Sequence, residues 1–350
     1  MRTRVVRYDA PGAIRLDDGE IAEPQPGDAV VRMGSCGICG TDLHIYEHGW
    51  HATPGMALGH EFAGEVVAAP GVEGVSVGDR VVVNPTLSCG HCPACRAGRQ
   101  HMCHQRRGVI GLTVGGAFAD YVLVPGARLG LELLAIPDTV SDEAAALTEP
   151  LAVGLHAVEL AGARPGQHVV VYGAGTIGLC ATRWLAAAAA RAIVVDPIAL
   201  RRDAALAQGA TTVLDPHADG YSDDLAAALA GAAWTGRADV VIDCAGAPGL
   251  LDEALSVVAP GGSLGLAAVG MGEYALSANR VVLKEVAVHG AMSYTAPEFE
   301  RALAHVVEHA EDVRSLVSHR FPLTDALAAF DTQRDRAGSL KVMITGDGGR

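Results

Sequence analysis

A glycine-rich turn between an apolar stretch and a helical one constrains the fold of this 350-residue chain more than any other feature. The turn lies in VVVYGAGTIG, where Gly173, Gly175 and Gly178 have the spacing G-x-G-x-x-G. Such glycines allow a tight turn, let a pyrophosphate approach the backbone and let the helix pack closely on the strand. The N–H groups at the start of that helix then face the phosphates. The pattern predicts a dinucleotide site, and a glycine-rich turn without a ligand is the alternative interpretation.

The residues after this turn alternate between apolar strands and helical stretches. The predicted strands are HVVVYG, RAIVVDP, TTVLD and ADVVIDCAG, and helices such as ALRRDAALAQGA and SDDLAAALA separate them. Ser222 is the predicted N-cap of the helix in SDDLAAALA. Successive strand–helix units indicate an α/β fold with a doubly wound parallel sheet.

An acidic residue, Asp196, ends the second of these strands, about twenty residues beyond the glycine motif, as the dinucleotide fingerprint expects. Its carboxylate would accept hydrogen bonds from the ribose hydroxyls of the adenosine and repel a 2′-phosphate, which favours NAD over NADP. Arg201 and Arg202 follow closely. They either weaken that preference or are solvated helix residues.

Four cysteines fall within fifteen residues, in the pattern C-x2-C-x2-C-x7-C. They are Cys89, Cys92, Cys95 and Cys103. Four thiolates can enclose one zinc ion in a tetrahedron and leave no open position, which is typical of a structural site. An iron–sulfur run would place the fourth cysteine three residues after the third and before a proline, whereas here it follows after seven residues and precedes His104. Unligated thiols are the remaining interpretation.

The bulk composition excludes several classes of partner. A net charge of −14 argues against nucleic acid and anionic membranes as partners. No apolar run reaches the roughly 18 residues of a membrane span, and MRTRVVRYDA lacks the apolar core of a signal peptide. We therefore expect a cytoplasmic protein, whose thiols stay reduced.

The first 150 residues have a different pattern from the rest. Short alternating runs such as DAVVRM, EFAGEVVAA and DRVVVNP are separated by turn signals. The pattern predicts an all-β, barrel-like domain.

Several segments taken together resemble one family. GICGTDLHIY, GHEFAGEVV, VGDRVVV, the four-cysteine lobe, TEPLAV and VYGAGTIG are similar to the zinc-dependent medium-chain dehydrogenase/reductase family, in its sorbitol, butanediol or threonine dehydrogenase branch. The resemblance implies a GroES-like β-barrel catalytic domain at residues 1–150, with the zinc lobe at 89–103. It further implies a Rossmann NAD-binding domain at 151–289 and a segment at 290–350 that returns to the catalytic domain.

The resemblance also implies a second metal site and a proton path. Cys39, His60 and Glu61 would bind a catalytic zinc, and Glu149 would lie beside that metal and approach it. The chain would then hold two Zn²⁺ ions, one catalytic and one structural. Thr41 and His44 would pass the substrate proton outward, and Glu149 would also take part in catalysis.

Further cofactor contacts are implied for residues outside the three glycines and Asp196. They are Thr176, Ile177, Arg201, Cys244 and Val269.

The implied activity is hydride transfer between a secondary alcohol or polyol and NAD, with zinc lowering the pKa of the alcohol. Diols, sugar alcohols, cyclitols and amino alcohols are all open as substrates, and a homodimer or homotetramer is expected. The alternatives are a zinc-free, NADPH-dependent enone or quinone reductase of the same fold, or a non-catalytic protein that binds zinc and nucleotide.

Overall fold

The computed structural model describes residues 1–270 and 272–347 and divides into two compact units. The first unit comprises Met1–Glu149 and Thr295–Arg350, and the second comprises Pro150–Tyr294. The chain thus re-enters the first unit at Thr295, whereas the sequence analysis placed that return at residue 290. One compact unit is therefore built from two separate stretches of sequence.

Strands occur in both units. In chain order they are β1 (Arg2–Ala10), β2 (Ala13–Glu20), β3 (Ala29–Gly37), β4 (Glu61–Ala68), β5 (Arg80–Val83), β6 (Thr86–Leu87), β7 (Gly108–Val109), β8 (Tyr121–Val124), β9 (Leu133–Ala135), β10 (His168–Tyr172), β11 (Arg191–Val195), β12 (Thr212–Leu214), β13 (Ala238–Asp243), β14 (Val258–Leu266), β15 (Ala287–Gly290), β16 (Val317–Pro322) and β17 (Lys341–Thr345).

Helices also occur in both units. In chain order they are α1 (Gly40–His48), α2 (Pro93–Arg96), α3 (Asp142–Ala146), α4 (Thr148–Leu160), α5 (Thr176–Ala187), α6 (Ala199–Ala207), α7 (Tyr221–Ala228), α8 (Leu250–Val257), α9 (Ala278–Lys284), α10 (Ala296–Glu308), α11 (Ala310–Arg314) and α12 (Ala326–Arg334).

The main sheet of the first unit has seven strands in the order β16-β17-β3-β4-β5-β9, with β8 also pairing with β3. The antiparallel register of β3 and β4 sets Gly37 opposite Glu61, and that of β17 and β3 sets Met343 opposite Gly37. Because β3 ends two residues before Cys39 and β4 begins directly after His60, these pairings bring the candidate metal ligands to one end of the sheet.

The prediction that residues 1–150 are all-β is wrong in detail, because α1, α2 and α3 interrupt the strands. The helix α1 begins directly after Cys39, whose N–H donates to the Asp42 carboxylate at 2.9 Å. Asp42 stands at the third helical position, where a side chain that reaches back to the preceding N–H favours a helix start. This local signal was present in CGTDLH, and strand alternation alone could not reveal it.

The second unit contains a six-stranded parallel sheet in the order β12-β11-β10-β13-β14-β15. Counted within the unit this order is 3-2-1-4-5-6, so the predicted doubly wound, Rossmann-type sheet is confirmed. The order in which the strands are added reverses between β10 and β13. Ligands of such sheets bind at the carboxyl ends of the strands beside that point.

The predicted N-cap at Ser222 is wrong. The helix α7 begins at Tyr221, two residues earlier than a cap at Ser222 would place it, and Gly220 is its N-cap with φ 84°. Glycine adopts this left-handed conformation without strain, so the turn before the helix closes two residues sooner than the serine would indicate. The hydroxyl of Tyr221 donates a hydrogen bond to Glu253 Oε1 on α8, at 2.6 Å.

Each unit has its own apolar core. In the first unit it includes Val31, Phe62, Phe118 and Phe330, all fully buried. In the second unit it forms between the sheet and helices such as α7 and α8. Within the described ranges, no helix combines the length and the apolar character needed to cross a bilayer.

Candidate metal centres and cofactor site

Cys39, His60 and Glu61 form a compact donor cluster in the first unit. Each offers one ligand atom, and these atoms all lie within 4.8 Å of one another. His60 and Glu61 are buried and Cys39 is half-buried. A thiolate, an imidazole and a carboxylate are a donor set suited to zinc with a fourth position left open.

Asp42 lies beside this cluster in the protein interior. It is fully buried and accepts hydrogen bonds from the N–H groups of Cys39 at 2.9 Å and Gly59 at 3.2 Å. Its Oδ1 lies 3.7 Å from His60 Nδ1, which is close enough for charge attraction but too far for a hydrogen bond. Burial lowers the pKa of His60, but the charges of Asp42 and Cys39 outweigh that effect and raise the pKa well above its usual value. Asp42 thus acts on His60 through its charge.

Lys341 was missed by the sequence analysis. This residue opens β17, and its Nζ forms an ion pair with Glu61 Oε2 and donates to the Ile38 carbonyl at 2.8 Å. Burial lowers the pKa of Lys341, but the charges of Glu61 and Cys39 outweigh it, so the pKa is raised. The available signal was a lysine near the start of the apolar stretch LKVMIT, where Leu340 precedes Lys341. Such a lysine does not reveal a partner 280 residues away.

The other predicted catalytic residues lie in the same unit. Glu149 is buried, and its charge acts on His60 and on Lys341, although it is not part of the donor group that lies within 4.8 Å. Thr41 and His44 stand three residues apart on α1, so they share one side of that helix. The His44 ring lies 6.4 Å from the Trp50 ring.

The four cysteines of the lobe converge on one point. The ligand atoms of Cys89, Cys92, Cys95 and Cys103 all lie within 4.8 Å of one another. The Sγ atoms of Cys89 and Cys95 are 3.9 Å apart, those of Cys92 and Cys95 are 3.5 Å apart, and those of Cys92 and Cys103 are 3.8 Å apart. A regular tetrahedron with zinc–sulfur bonds of about 2.3 Å has sulfur atoms about 3.8 Å apart. The lobe therefore has the dimensions of a single-ion tetrathiolate site.

A buried carboxylate and two arginines contact the chain just before the lobe. The sequence analysis missed these residues too. Glu132 is fully buried and forms ion pairs with Arg107, at 3.1 Å, and with Arg128. Both guanidinium groups reach the Ser88 carbonyl, with Arg128 Nη2 at 3.2 Å and Arg107 Nε at 3.4 Å. The hydrogen bond to Glu132, together with negative charge on Cys95 and Cys89, raises the pKa of Arg128. This arrangement, called here the arginine clamp, holds the residue that precedes the first cysteine.

The glycines of the G-x-G-x-x-G motif lie between β10 and α5 and show the close approaches expected of them. Gly173 has φ 89°, and a Cβ there would lie 2.9 Å from the Ala245 Cβ. A Cβ on Gly178 would overlap the carbonyl oxygen of Gly173. At Gly175 the space is open, with Arg201 Nη1 4.0 Å away. The middle glycine thus leaves the room that a pyrophosphate requires.

The remaining predicted cofactor residues follow the carboxyl ends of β10, β11, β13 and β14. The Asp196 carboxylate accepts hydrogen bonds from the N–H groups of Ala174 and Ile198, each at 2.8 Å, so it touches the glycine turn directly. The Cβ of Cys244 lies 3.5 Å from the Cβ position of Gly178. Val269 comes three residues after β14 and is 57% exposed.

Thr176 and Ile177 are the first two residues of α5 and are both half-buried. They therefore lie at the helix end that offers N–H groups to an anion.

Comparison with known proteins identifies the family. Residues 25–138 match the family model of the alcohol dehydrogenase GroES-like domain, and residues 176–308 match that of zinc-binding dehydrogenases. A curated relative, L-threonine 3-dehydrogenase from Pyrococcus furiosus, is 32% identical over 339 residues, which is 94% of each chain.

Two solved structures share the fold over nearly the whole chain. One, from Sinorhizobium meliloti 1021, is assigned as a zinc-binding dehydrogenase and is bound to NADP; it is 32% identical, covers 99% of both chains and has a TM-score of 0.87. The other is 2R,3R-butanediol dehydrogenase from Bacillus subtilis, 29% identical, covering 99% of this chain and all of that one, with a TM-score of 0.86. The chain belongs to the zinc-dependent alcohol and polyol dehydrogenases of the medium-chain family, a family of oxidoreductases.

Proposed function

We propose that the protein oxidises a secondary alcohol or polyol and transfers the hydride to NAD, with one catalytic and one structural zinc ion per chain. The observation that carries the proposal is the donor cluster of Cys39, His60 and Glu61, whose ligand atoms lie within 4.8 Å of one another. The zinc-free reductase and the non-catalytic binder are disfavoured, because neither would need this cluster together with the four-cysteine lobe.

The chain's own residues would prepare the alcohol for hydride loss. Cys39, His60 and Glu61 would hold a zinc ion, which would supply the Lewis acidity that lowers the pKa of an alcohol hydroxyl. The negative charge of Asp42 would act on His60 from 3.7 Å away. Thr41 and His44, three residues apart on α1, would accept the released proton and carry it outward. Glu149 would add negative charge beside the metal.

The cofactor proposal rests on Asp196. The carboxylate lies against the glycine turn, hydrogen-bonded to Ala174 N–H, so its negative charge faces the position where a 2′-phosphate would come. We expect Arg201, whose guanidinium lies near Gly175, to bind the ribose or phosphate side of the cofactor. The second unit would then be the NAD-binding domain, predicted at residues 151–289, and the first unit the catalytic domain, predicted at 1–150 and 290–350.

The substrate class follows from the relatives. The Pyrococcus furiosus enzyme is named for L-threonine and the Bacillus subtilis enzyme for a vicinal diol, and both substrates carry a secondary hydroxyl beside a second polar group. We propose a small secondary alcohol of that kind, with diols, sugar alcohols, cyclitols and amino alcohols as the set to assay.

An exposed apolar surface in the second unit supports self-association. Val282 and Leu283 on α9 are 71% and 84% exposed, and β15 ends the order of the six-stranded sheet. A sheet edge with unpaired backbone groups can pair with another strand. We propose that a second copy of the chain covers this surface in a homodimer or homotetramer.

The proposed compartment is the cytoplasm. All eight cysteines are free thiols, including the four of the lobe, and reduced thiols are what zinc ligation requires.

Replacing Cys39 by Ser should remove the catalytic zinc and lower NAD reduction by at least about 1,000-fold, because several kcal/mol of Lewis-acid stabilisation are lost. Zinc per chain, measured by elemental analysis, should fall from two to one. NADH formation should be measured with L-threonine, 2,3-butanediol and a panel of polyols. Cys36→Ala is the matched control, since Cys36 is a buried thiol outside the donor cluster. Near-normal turnover by Cys39→Ser would disprove the ligand assignment.

Replacing Arg128 by Gln should accelerate the release of one of the two zinc ions to a chelator by roughly tenfold, as is usual when a group behind a metal ligand is removed. Arg128→Lys, which keeps the charge, should recover part of the loss. Arg106→Gln is the control, because Arg106 is an exposed arginine three residues after the lobe. Equal release rates for Arg128→Gln and Arg106→Gln would show that the arginine clamp does not support the lobe.

Replacing Asp196 by Asn should lower the ratio of kcat/KM for NAD to that for NADP by about tenfold or more, which corresponds to about 1.4 kcal/mol. The ratio is the quantity to measure, because both carboxylate oxygens also accept hydrogen bonds from backbone N–H groups. The loss of such a hydrogen bond affects catalysis with the two cofactors alike. Asp215→Asn, which removes a carboxylate that pairs with Arg202, serves as control. An unchanged ratio would exclude Asp196 as the discriminating group.

Replacing Leu283 by Asp should shift the protein from an oligomer to a monomer, because a charge would be buried in the proposed contact. The mass in solution should be measured by light scattering after size-exclusion chromatography. Val77→Asp, at a 69% exposed position of the first unit, should leave the mass unchanged. A monomeric wild-type protein would contradict the proposal.

A further inference from the structure

A positive charge lies inside the donor cluster of the first unit. Lys341 and Glu61 are each only 1% exposed and form an ion pair, and Lys341 Nζ also donates to the Ile38 carbonyl at 2.8 Å. A buried ammonium without partners would be strongly destabilising, so this one is held in place by both contacts. The Glu61 carboxylate, which would ligate the metal, is therefore already ion-paired with the Lys341 ammonium group.

The backbone is shaped to allow this pair. Gly37 ends β3 opposite Glu61, and a Cβ there would overlap Glu61 Oε2 and lie 2.6 Å from Lys341 Cε. Any side chain at this position would push the ammonium and the carboxylate apart. Glycine at residue 37 thus makes the room in which Lys341 reaches Glu61 from β17.

Lys341 offsets negative charge at the centre of the cluster. The groups that act electrostatically on Lys341 are Cys39, Glu61 and Glu149, all of them acidic. The fully buried Asp42 beside the cluster is a fourth acidic group. A divalent metal ion would add two positive charges and Lys341 adds one, so replacing Lys341 by a neutral residue leaves the centre one unit more negative. The centre would then attract a divalent ion more strongly.

Two cations then share one carboxylate. Because Oε2 of Glu61 is engaged by the ammonium, the metal is left with a carboxylate whose negative charge is partly neutralised. The charge of Lys341 therefore opposes the attraction between Glu61 and a divalent ion, and Glu61 holds that ion less tightly.

We infer that Lys341 is a positioning residue that competes with the metal for Glu61 and so keeps Glu61 a weak, exchangeable ligand. The inference rests on the proposed function, since it concerns the metal of that same site. Lys341 thereby sets how firmly Glu61 can hold a metal ion.

The experiment compares metal release from the intact protein and its Lys341→Met variant, because methionine is unbranched and fills similar space without charge. With Zn²⁺ and a competing chelator, the less tightly held ion of wild type should be released about tenfold more slowly from Lys341→Met. With Co²⁺ in its place, the visible absorption of the variant should change, because Glu61 then binds the metal without competition. Lys341→Arg, which keeps the positive charge, should behave like wild type in both measurements.

A double-mutant cycle keeps the test valid if Lys341→Met alone folds poorly. Glu61→Gln removes the partner charge, and the double variant Lys341→Met/Glu61→Gln leaves no uncompensated member of the pair. In the Glu61→Gln background, Lys341→Met should have a much smaller effect on metal release, because only the electrostatic action of Lys341 on Cys39 and Glu149 remains. An equal effect in both backgrounds, or a wild-type release rate and Co²⁺ spectrum in Lys341→Met, would overturn the inference.

The outcomes separate this inference from the proposed function. If no metal binds at Cys39 and His60 in wild type, the proposed function itself fails. If metal binds there and turnover depends on it, but Lys341→Met leaves its release unchanged, only the role given to Lys341 is wrong.

Discussion

The ion pair between Lys341 and Glu61 joins β17 to β4, the strand whose first residue is a candidate metal ligand. Its two members are 280 positions apart in sequence, and both are almost completely buried. Charged groups are stable in such an environment only when they are paired, so the pairing of β17 with β3 places the ammonium group that compensates the buried Glu61 side chain. Asp42 acts on His60 through its charge, from 3.7 Å away. The metal site thus depends on sheet register as much as on ligand identity.

The same logic governs the cysteine lobe. Its four sulfur atoms are brought together by a short loop, but the loop is anchored through Ser88, whose carbonyl is held by Arg107 and Arg128. These arginines are themselves held by Glu132, which is fully buried. A tetrathiolate zinc site carries two net negative charges, and nearby guanidinium groups offset them. Both candidate metal sites therefore lie beside a buried carboxylate that is paired with a cation.

The sequence alone revealed those parts of the protein whose signals are local. The glycine motif, Asp196 and the four cysteines are defined by spacing within a few residues to a few tens of residues, and the structure brings each set together. The parallel sheet followed from repeated strand–helix units and is confirmed. Lys341 could not be foreseen, because its partner Glu61 is set by strand register. The contact of Arg128 with the Ser88 carbonyl could not be foreseen either, because it depends on tertiary structure. The prediction of Ser222 as an N-cap was wrong because Gly220, directly before the helix, closes the turn first.

The split of the first unit has a consequence for how the protein is made. During translation, Cys39, His60 and Glu61 emerge early, but Lys341 emerges only after the whole second unit, Pro150–Tyr294, has been synthesised. Domains generally fold as units in the order of synthesis, so the nascent chain would hold Glu61 without its ammonium partner for the intervening time. The pairing of β17 with β3 is then the step that completes the site.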